Sequence, residues 1–530
     1  MRAIRVEGVR AIHSVYELPL SRFFILPLLH KKNVIDAAME LPVPFIDYTR
    51  RLLGEAEMEK LTAVLQQEQP VSIRINESKL NDFHISAERV PWCSTGYYLA
   101  NRLTFTFDPL FHAGCYYVQE ASSMFVEQAL KQYTSEEPVT MLDLCAAPGG
   151  KSTHVRSVLP EGSLLVANEV IRNRSQILAE NLTKWGHSDV VVTNNDPADF
   201  SSLEDLFDVI LTDVPCSGEG MFRKDPVAVS EWSSENVEIC WQRQRRIIAD
   251  IWSCLKPGGI LIYSTCTYNT KEDEENIRWM RDELGAEILS LDIQEDWKIT
   301  GNLLVGEDFP VYRFLPHKTR GEGFFLAVVR KPGMSIRNSR AEQSFPQGKA
   351  FEMPGKRNEN SRDKGRKPQG KGTKTPGLSK EQLSLLREWL LAPDNYELIL
   401  NGNCVSAFPK SHLSELTALQ SSLRIVQAGV NLAELKGKDW LPNHALAMSR
   451  ILNPEIFARE ELDYNQAIAY LRKEAITLSE DAPRGIVLLT YKHTPLGFVK
   501  NIGNRANNLY PQEWRIRSGY LPEEILELCP

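Results

Sequence analysis

Met141-Leu-Asp-Leu-Cys-Ala-Ala-Pro-Gly-Gly-Lys-Ser152 runs from an apolar strand through a turn of small residues into a helix. Outward from it the same alternation recurs. Residues 139–144, 164–167, 190–193, 209–212 and 260–264 read as strands, with helices over 151–159, 172–185 and 237–255 between them. The turn Pro257-Gly-Gly259 is expected to separate the long helix from the strand that follows it. A further helix is expected over 273–284, and 324–329 closes the series as a strand. Short apolar runs alternating with helical periods form a mostly parallel sheet covered on both faces, so the fold class is α/β.

The remainder of the 530 residues divides by composition. Residues 1–38 hold one apolar stretch, Phe23-Phe-Ile-Leu-Pro-Leu-Leu29, broken by Pro27. An export signal needs an unbroken apolar region, so a cytoplasmic location is expected. Met39 is expected to begin the folded chain, with 1–38 a poorly ordered extension. Residues 39–137 read as a small α+β domain with helices near 45–53 and 57–65 and a strand over 71–75; 138–332 hold the α/β pattern. Residues 333–378 are poor in apolar side chains and read as a disordered basic linker. Globular composition resumes in an α/β region over 379–450, opening with a helix over 381–391. A final module over 451–530 includes a strand over 486–491. No apolar run is long enough to span a membrane. Nine cysteines without a CxxC pair argue against a disulfide framework or structural zinc, and no metal is expected.

The net charge of −8 taken whole argues against a nucleic-acid binder. It is unevenly spread. Residues 39–332 hold 28 bases against 44 acids, whereas 333–378 hold 11 against 4. Within the latter, 356–374 is either a phosphate-neutralising run or a solvated spacer. Arg243, Arg245 and Arg246 on the long helix are expected to face solvent.

Three ligands compete for the glycine turn. A P-loop needs glycine where Cys145 stands, so the Gly-Lys-Ser ending is a false match. The dinucleotide fingerprint GxGxxG is absent. S-adenosylmethionine is the third, with its methionine moiety over Cys145, Ala146, Ala147, Pro148, Gly149, Gly150 and Lys151; an ordinary tight strand–helix turn is the alternative. Two acids favour the nucleoside. Glu169 ends the second strand, where a carboxylate can accept from ribose hydroxyls. Asp196 ends the third, where it can receive an adenine amino group.

Two cysteines stand apart from the rest. Thr212-Asp-Val-Pro-Cys-Ser-Gly-Glu-Gly220 follows the fourth strand and Tyr263-Ser-Thr-Cys-Thr-Tyr268 follows the fifth. Cys216 and Cys266 therefore emerge at the C-terminal ends of neighbouring strands, where open α/β sheets bind ligands. Cys240 and Cys254, inside an apolar helix, read as small buried hydrophobes.

Taken together, DLCAAPGGKS, ANE, DVPCSGEG and YSTCTY resemble the Sun/nucleolar-protein family of RNA cytosine-5 methyltransferases, most closely its RsmF-type members acting on small-subunit rRNA. Tyr117-Val-Gln-Glu-Ala-Ser-Ser123, Arg223-Lys-Asp-Pro226, Arg313-x-x-Pro-His317 and Gly321-Glu-Gly-Phe-Phe325 extend the likeness. Pro442-Asn-His-Ala-Leu-Ala-Met448 and Tyr491-Lys-x-x-Pro-Leu-Gly-Phe498 resume it near the C-terminus, where it implies a PUA-like RNA-binding module within 451–530. The resemblance implies a Rossmann-like S-adenosylmethionine-dependent domain with a seven-stranded sheet over 138–332 and an N-terminal RNA-binding domain over 39–137. It also implies RNA as partner, 16S rRNA or the small ribosomal subunit, and a monomer.

Carbon 5 of cytosine is too poor a nucleophile to take a methyl group unaided, and a thiolate added at carbon 6 activates it. By resemblance Cys266 is that nucleophile and Cys216 assists release. Asp213 either orients the cytosine edge and borders the cofactor or caps its own turn. Lys151 either orders the cofactor loop or faces solvent. A tRNA substrate and an inactive RNA-binding assembly factor remain alternatives. Amino methyltransferases carry [DN]PP[YF] after the fourth strand, which Asp213-Val-Pro-Cys216 is not.

Overall fold

The computed structural model describes residues 40–80, 85–333, 378–437, 439–519 and 528. The extension over 1–38 and the basic run over 356–374 lie outside the described residues.

The N-terminal segment begins with α1 (Val43–Leu53) and α2 (Glu55–Leu65), hinged at Gly54 with φ of 85°. That left-handed backbone suits glycine alone and turns α2 back so that Phe45, Met58, Leu61 and Leu65 are buried. Strands β1 (Val71–Ile75), β2 (Gly96–Leu99) and β3 (Tyr116–Val118) form an antiparallel sheet in the order β2-β1-β3. Helices α3 (Pro109–His112) and α4 (Val126–Tyr133) complete the segment.

The large sheet follows. Its strands are β4 (Thr140–Asp143), β5 (Leu164–Asn168), β6 (Val190–Thr193), β7 (Phe207–Asp213), β8 (Leu255–Thr265), β9 (Glu287–Leu289), β10 (Tyr312–Phe314) and β11 (Phe324–Arg330). Its helices are α5 (Gly150–Val158), α6 (Arg172–Trp185), α7 (Pro226–Glu231), α8 (Ser234–Ile251) and α9 (Glu274–Leu284). β6-β5-β4-β7-β8 pair in parallel, and β11 adds antiparallel to β8. Successive strand residues point to opposite faces. Met141, Leu165, Val192 and Leu211 accordingly enter one apolar layer, packed with α4, α5 and α6. Leu142, Val166, Val191 and Ile210 enter the other, packed with α8 and α9.

Two expectations need correction. The strand expected from 260 starts at Leu255 and runs through Pro257-Gly-Gly259 as a bulge, its pairing with β7 shifting between Phe207 and Val209. Gly259 permits this: a Cβ there would lie 2.8 Å from the Asp208 carbonyl oxygen. The sheet is also larger than seven strands. Among the described residues it has nine, in the order β10-β11-β8-β7-β4-β5-β6-β14, with β9 also on β11. The strand not drawn from 138–332 is β14 (Ile425–Ala428), which comes from the C-terminal region and pairs antiparallel with β6.

That region also holds α10 (Lys380–Glu388), β12 (Tyr396–Asn401), β13 (Cys404–Pro409), α11 (Leu413–Ser422), β15 (Val430–Lys436), β16 (Asp439–Pro442) and α12 (His444–Met448). The last module contains β17 (Ala458–Glu461), α13 (Tyr464–Leu471), β18 (Gly485–Tyr491), β19 (Thr494–Asn501) and β20 (Ala506–Asn508). These segments share cores with the rest of the chain. Ile399, Phe408, Leu416 and Leu419 join the layer under α8. Ile73, Ile75 and Tyr116 of the N-terminal sheet pack in one cluster with Ile468, Leu489 and Val499 of the last module. The end of α6 ties them together: Asn76 Nδ2 donates to the Trp185 carbonyl at 3.1 Å, and the Arg450 N–H donates to the Gly186 carbonyl at 3.0 Å.

Candidate active site

Parallel pairing sets Asp213 of β7 beside Ser264 of β8, so the chain leaves both strands at the same edge. There the Cys216 and Cys266 sulfurs lie 3.1 Å apart. The Cys266 N–H donates to Cys216 Sγ at 3.4 Å, and the Gly220 N–H donates to the Cys266 carbonyl at 2.8 Å, stitching the two loops together. The hydrogen bond to Cys266, then burial, pushes the Cys216 thiol well above its ordinary pKa.

Beside the thiols, Asp213 accepts from Ser264 Oγ and from Lys151 Nζ, each at 2.9 Å. Lys151 is the second residue of α5 and does not point to solvent. Burial lowers its pKa, but Asp213, together with Cys266 and Asp143, outweighs this and the net shift is upward.

The loop before α5 is held by backbone bonds to neighbouring strands. The Leu144 N–H donates to the Leu211 carbonyl at 3.0 Å and the Ala146 N–H to the Asn168 carbonyl at 2.8 Å. Arg174 and Asn181 of α6 donate to the carbonyls of Ala147 and Pro148. Gly149 takes φ of 113°, and a Cβ on Gly150 would meet the Tyr117 ring at 3.3 Å. Burial pushes the Cys145 thiol well up. Asp143, which ends β4, accepts from Ser152 Oγ through Oδ2, while the fully buried Oδ1 has no hydrogen-bond partner among the described residues. Burial, then Asp213, raises its pKa to about 7.

Glu169 follows β5 as expected. It accepts from the Ile171 N–H and faces Arg174 at 3.3 Å, and burial raises its pKa. Asp196 follows β6, and its carboxylate makes contacts within the protein. It caps the turn over Pro197–Ser202 by accepting from the Ala198 N–H, in a capping box with Asp199, and Arg246 lies 3.5 Å away. Of the three arginines on α8, Arg243 and Arg246 are exposed, but Arg245 corrects the expectation. Its guanidinium stacks 4.1 Å from the Trp241 ring and donates to Asn276 Oδ1.

Sequence reading missed the acids behind the cysteines. Glu272 accepts from the N–H and Oγ of Ser217, next to Cys216, and from Gln244 and Asn269. Asp273 accepts from Thr265 and Thr267, which flank Cys266, and pairs with Arg313 at 3.2 Å. Glu219 accepts from the Tyr268 N–H at 2.7 Å; burial, then Glu272, lifts its pKa to about 7. A run of four acids, Glu272-Asp-Glu-Glu275, reads as an exposed helix start, and only the hydroxyl-rich cysteine loops hint at partners for it.

Cys93, Glu127 and His154 also gather inside the protein with donor atoms spaced for a metal. Arg74 Nε donates to Gln119 Oε1 at 2.8 Å, which aims Gln119 Nε2 at His154 Nδ1. Nδ1 is then the acceptor and Nε2 the donor, 2.8 Å from Glu127, so the imidazole is committed to the carboxylate.

Family models match three stretches of the chain. They are 16S rRNA methyltransferase RsmB/F over 129–330, the N-terminal domain of 16S rRNA methyltransferase RsmF over 41–121, and the methyltransferase RsmF PUA domain over 458–516. The ribosomal RNA small subunit methyltransferase F of Pectobacterium atrosepticum is 30% identical over 504 residues, covering 89% of this chain and 95% of that protein. Its counterpart in Cronobacter sakazakii is 31% identical over 502 residues, covering 91% and 97%. A solved methyltransferase homologue from Pyrococcus horikoshii is 28% identical over 54% of this chain and 94% of its own, with a TM-score of 0.47. Likeness sustained across both halves, on a Rossmann-like sheet with a paired-cysteine edge, places this chain in the ribosomal RNA small subunit methyltransferase F family of S-adenosylmethionine-dependent RNA methyltransferases.

Proposed function

We propose that the chain methylates carbon 5 of a cytosine in 16S rRNA through a covalent adduct with Cys266, in the bacterial cytoplasm. The observation that carries this reading is the approach of the Cys216 and Cys266 sulfurs to 3.1 Å beside the Lys151–Asp213 pair. An amino methyltransferase needs no such pair.

The residues present suit S-adenosylmethionine. The small residues from Cys145 to Gly150 line the turn, and Asp143 Oδ1 is a buried acceptor, without a partner among the described residues, that an ammonium group satisfies. Glu169, directly after β5, is the acid we assign to the ribose hydroxyls. When bound, the cofactor supplies an electrophilic methyl on a sulfonium sulfur.

The chain's own residues do the rest. The Cys266 thiolate adds to carbon 6 and places electron density on carbon 5. Asp213, fixed by Ser264 and Lys151, orients the cytosine edge. Once carbon 5 carries the methyl group, a base takes its proton, the electron pair left behind restores the double bond between carbons 5 and 6, and Cys266 departs from carbon 6 as the thiolate, with Cys216 assisting this release. A base inside a helix must leave the stack to reach the thiols. The segments over 39–137 and 451–530 supply the RNA grip.

The test is methyl transfer from tritiated donor to unmethylated small-subunit RNA, followed by nucleoside digestion. Label in 5-methylcytidine from 16S rRNA supports the reading. Label on an exocyclic amine, on tRNA alone, or none at all overturns it. Bisulfite sequencing of cellular RNA with and without the gene gives the position.

A further inference from the structure

The C-terminal region reaches into the edge of the cofactor-binding sheet. β14 pairs with β6 in the register Ile425–Thr193 and Gln427–Val192. At its start, Arg424 grips the loop that follows β6. The Asn194 N–H donates to the Arg424 carbonyl at 3.1 Å, and Asn195 Nδ2 donates to the same carbonyl at 3.2 Å. In return the Arg424 N–H donates to Asn195 Oδ1 at 3.0 Å, and its guanidinium donates to Asn194 Oδ1 at 3.2 Å.

Both asparagines pass this hold to the strand that carries Glu169. Asn194 Nδ2 donates to the carbonyls of Glu169 and Val170 at 2.8 and 2.9 Å. The Asn195 N–H donates to Asn168 Oδ1 at 3.1 Å, and Asn168 Nδ2 donates to the carbonyls of Leu144 and Asn195. Arg424, Asn194 and Glu169 thus form a continuous chain of hydrogen bonds from the C-terminal region to the acid assigned to the ribose.

From this we infer that Arg424 and Asn194 are positioning residues of the cofactor site, and that the C-terminal region fixes its nucleoside end. Neither residue need touch the ligand. Each limits the motion of Glu169 by holding backbone on either side of it. The region over 379–450, outside the segments assigned to RNA binding, is therefore part of the apparatus that binds the methyl donor. The inference rests on the proposed role of Glu169.

The test is calorimetric binding of S-adenosylhomocysteine to the full chain without RNA. Arg424 is exposed, so Arg424→Ala leaves the core intact; Asn194→Ala is the second variant, and the two are also combined. Arg424→Ala is expected to raise Kd about two- to tenfold, as loss of one ordering hydrogen bond does. Asn194→Ala is expected to raise it at least as much. The double variant should be no worse than Asn194→Ala, because both act through one chain. Restoring Arg424→Lys should recover part of the affinity. Glu169→Ala is the reference. If it weakens binding while both positioning variants match the unaltered protein, the inference fails and the cofactor site stands. If Glu169→Ala itself leaves Kd unchanged, the cofactor-site assignment fails and the inference with it.

Discussion

Cys216 Sγ and Cys266 Sγ stand 3.1 Å apart, and the Cys266 N–H points at the Cys216 sulfur. The contact is asymmetric, since Cys216 also accepts from the backbone of its neighbour. Replacing each in turn separates their roles. Cys266→Ala is expected to abolish methyl transfer. Cys216→Ala should retain the first addition and accumulate a protein–RNA adduct that survives denaturing electrophoresis. Turnover by Cys266→Ala, or adduct with that variant instead, rejects the assignment.

The Lys151–Asp213 pair gives a second expectation. Asp213→Asn keeps the shape and the bond from Ser264 but removes the charge opposite Lys151. Methyl transfer should fall about 10²-fold, in the range of a lost charge-positioning group. The melting temperature should move little, because the Asp213 carboxylate is about one-third exposed. A variant with unaltered kcat would show that Asp213 only caps its turn.

Buried acids set a pH dependence. Burial and Asp213 lift Asp143 from the ordinary carboxylate range to about 7. The folded state therefore holds a proton that the unfolded chain has already lost, and the stability this group contributes is present at low pH. It declines as pH rises from about 4 to about 7 and is level above that. Asp143→Asn should flatten this fall in thermal denaturation curves taken without ligand. A slope identical to that of the unaltered chain counts against a buried, neutral Asp143.

Asp273 holds both flanks of Cys266. Asp273→Ala removes the acceptor for Thr265 and Thr267 and one partner of the buried Arg313. Denaturant unfolding should show a loss of about 3 kcal/mol or more, the scale for breaking a buried ion pair. Alkylation of Cys266 under native conditions should quicken as its loop loosens. Unchanged stability would mean that Glu274 alone satisfies Arg313.

Local chemistry made some of this architecture legible in the sequence. Helix α6 spans Arg172–Trp185 as expected because a polar start and a glycine at 186 bracket its apolar spacing. The paired cysteines were legible because turn residues surround both. β14 was not: Ile-Val-Gln-Ala is too short to announce a strand, and its partner lies in a distant part of the chain. Arg245 looked solvent-facing because Trp279 and Asn276, which hold it together with Trp241 one turn back, sit on α9. The capping of its turn by Asp196 is written in Asp196-Pro-Ala-Asp199, an acid three residues past a cap.

The order in which the chain is made gives β14 another consequence. A ribosome completes β4 through β11 long before residues 425–428 emerge. Until then the outer edge of β6, Val190–Thr193, has no partner on that side, and such an apolar edge recruits strands from other chains. The nascent protein is therefore most prone to aggregate between synthesis of its catalytic sheet and arrival of its C-terminal region, and chains that stop short of residue 425 never leave that window.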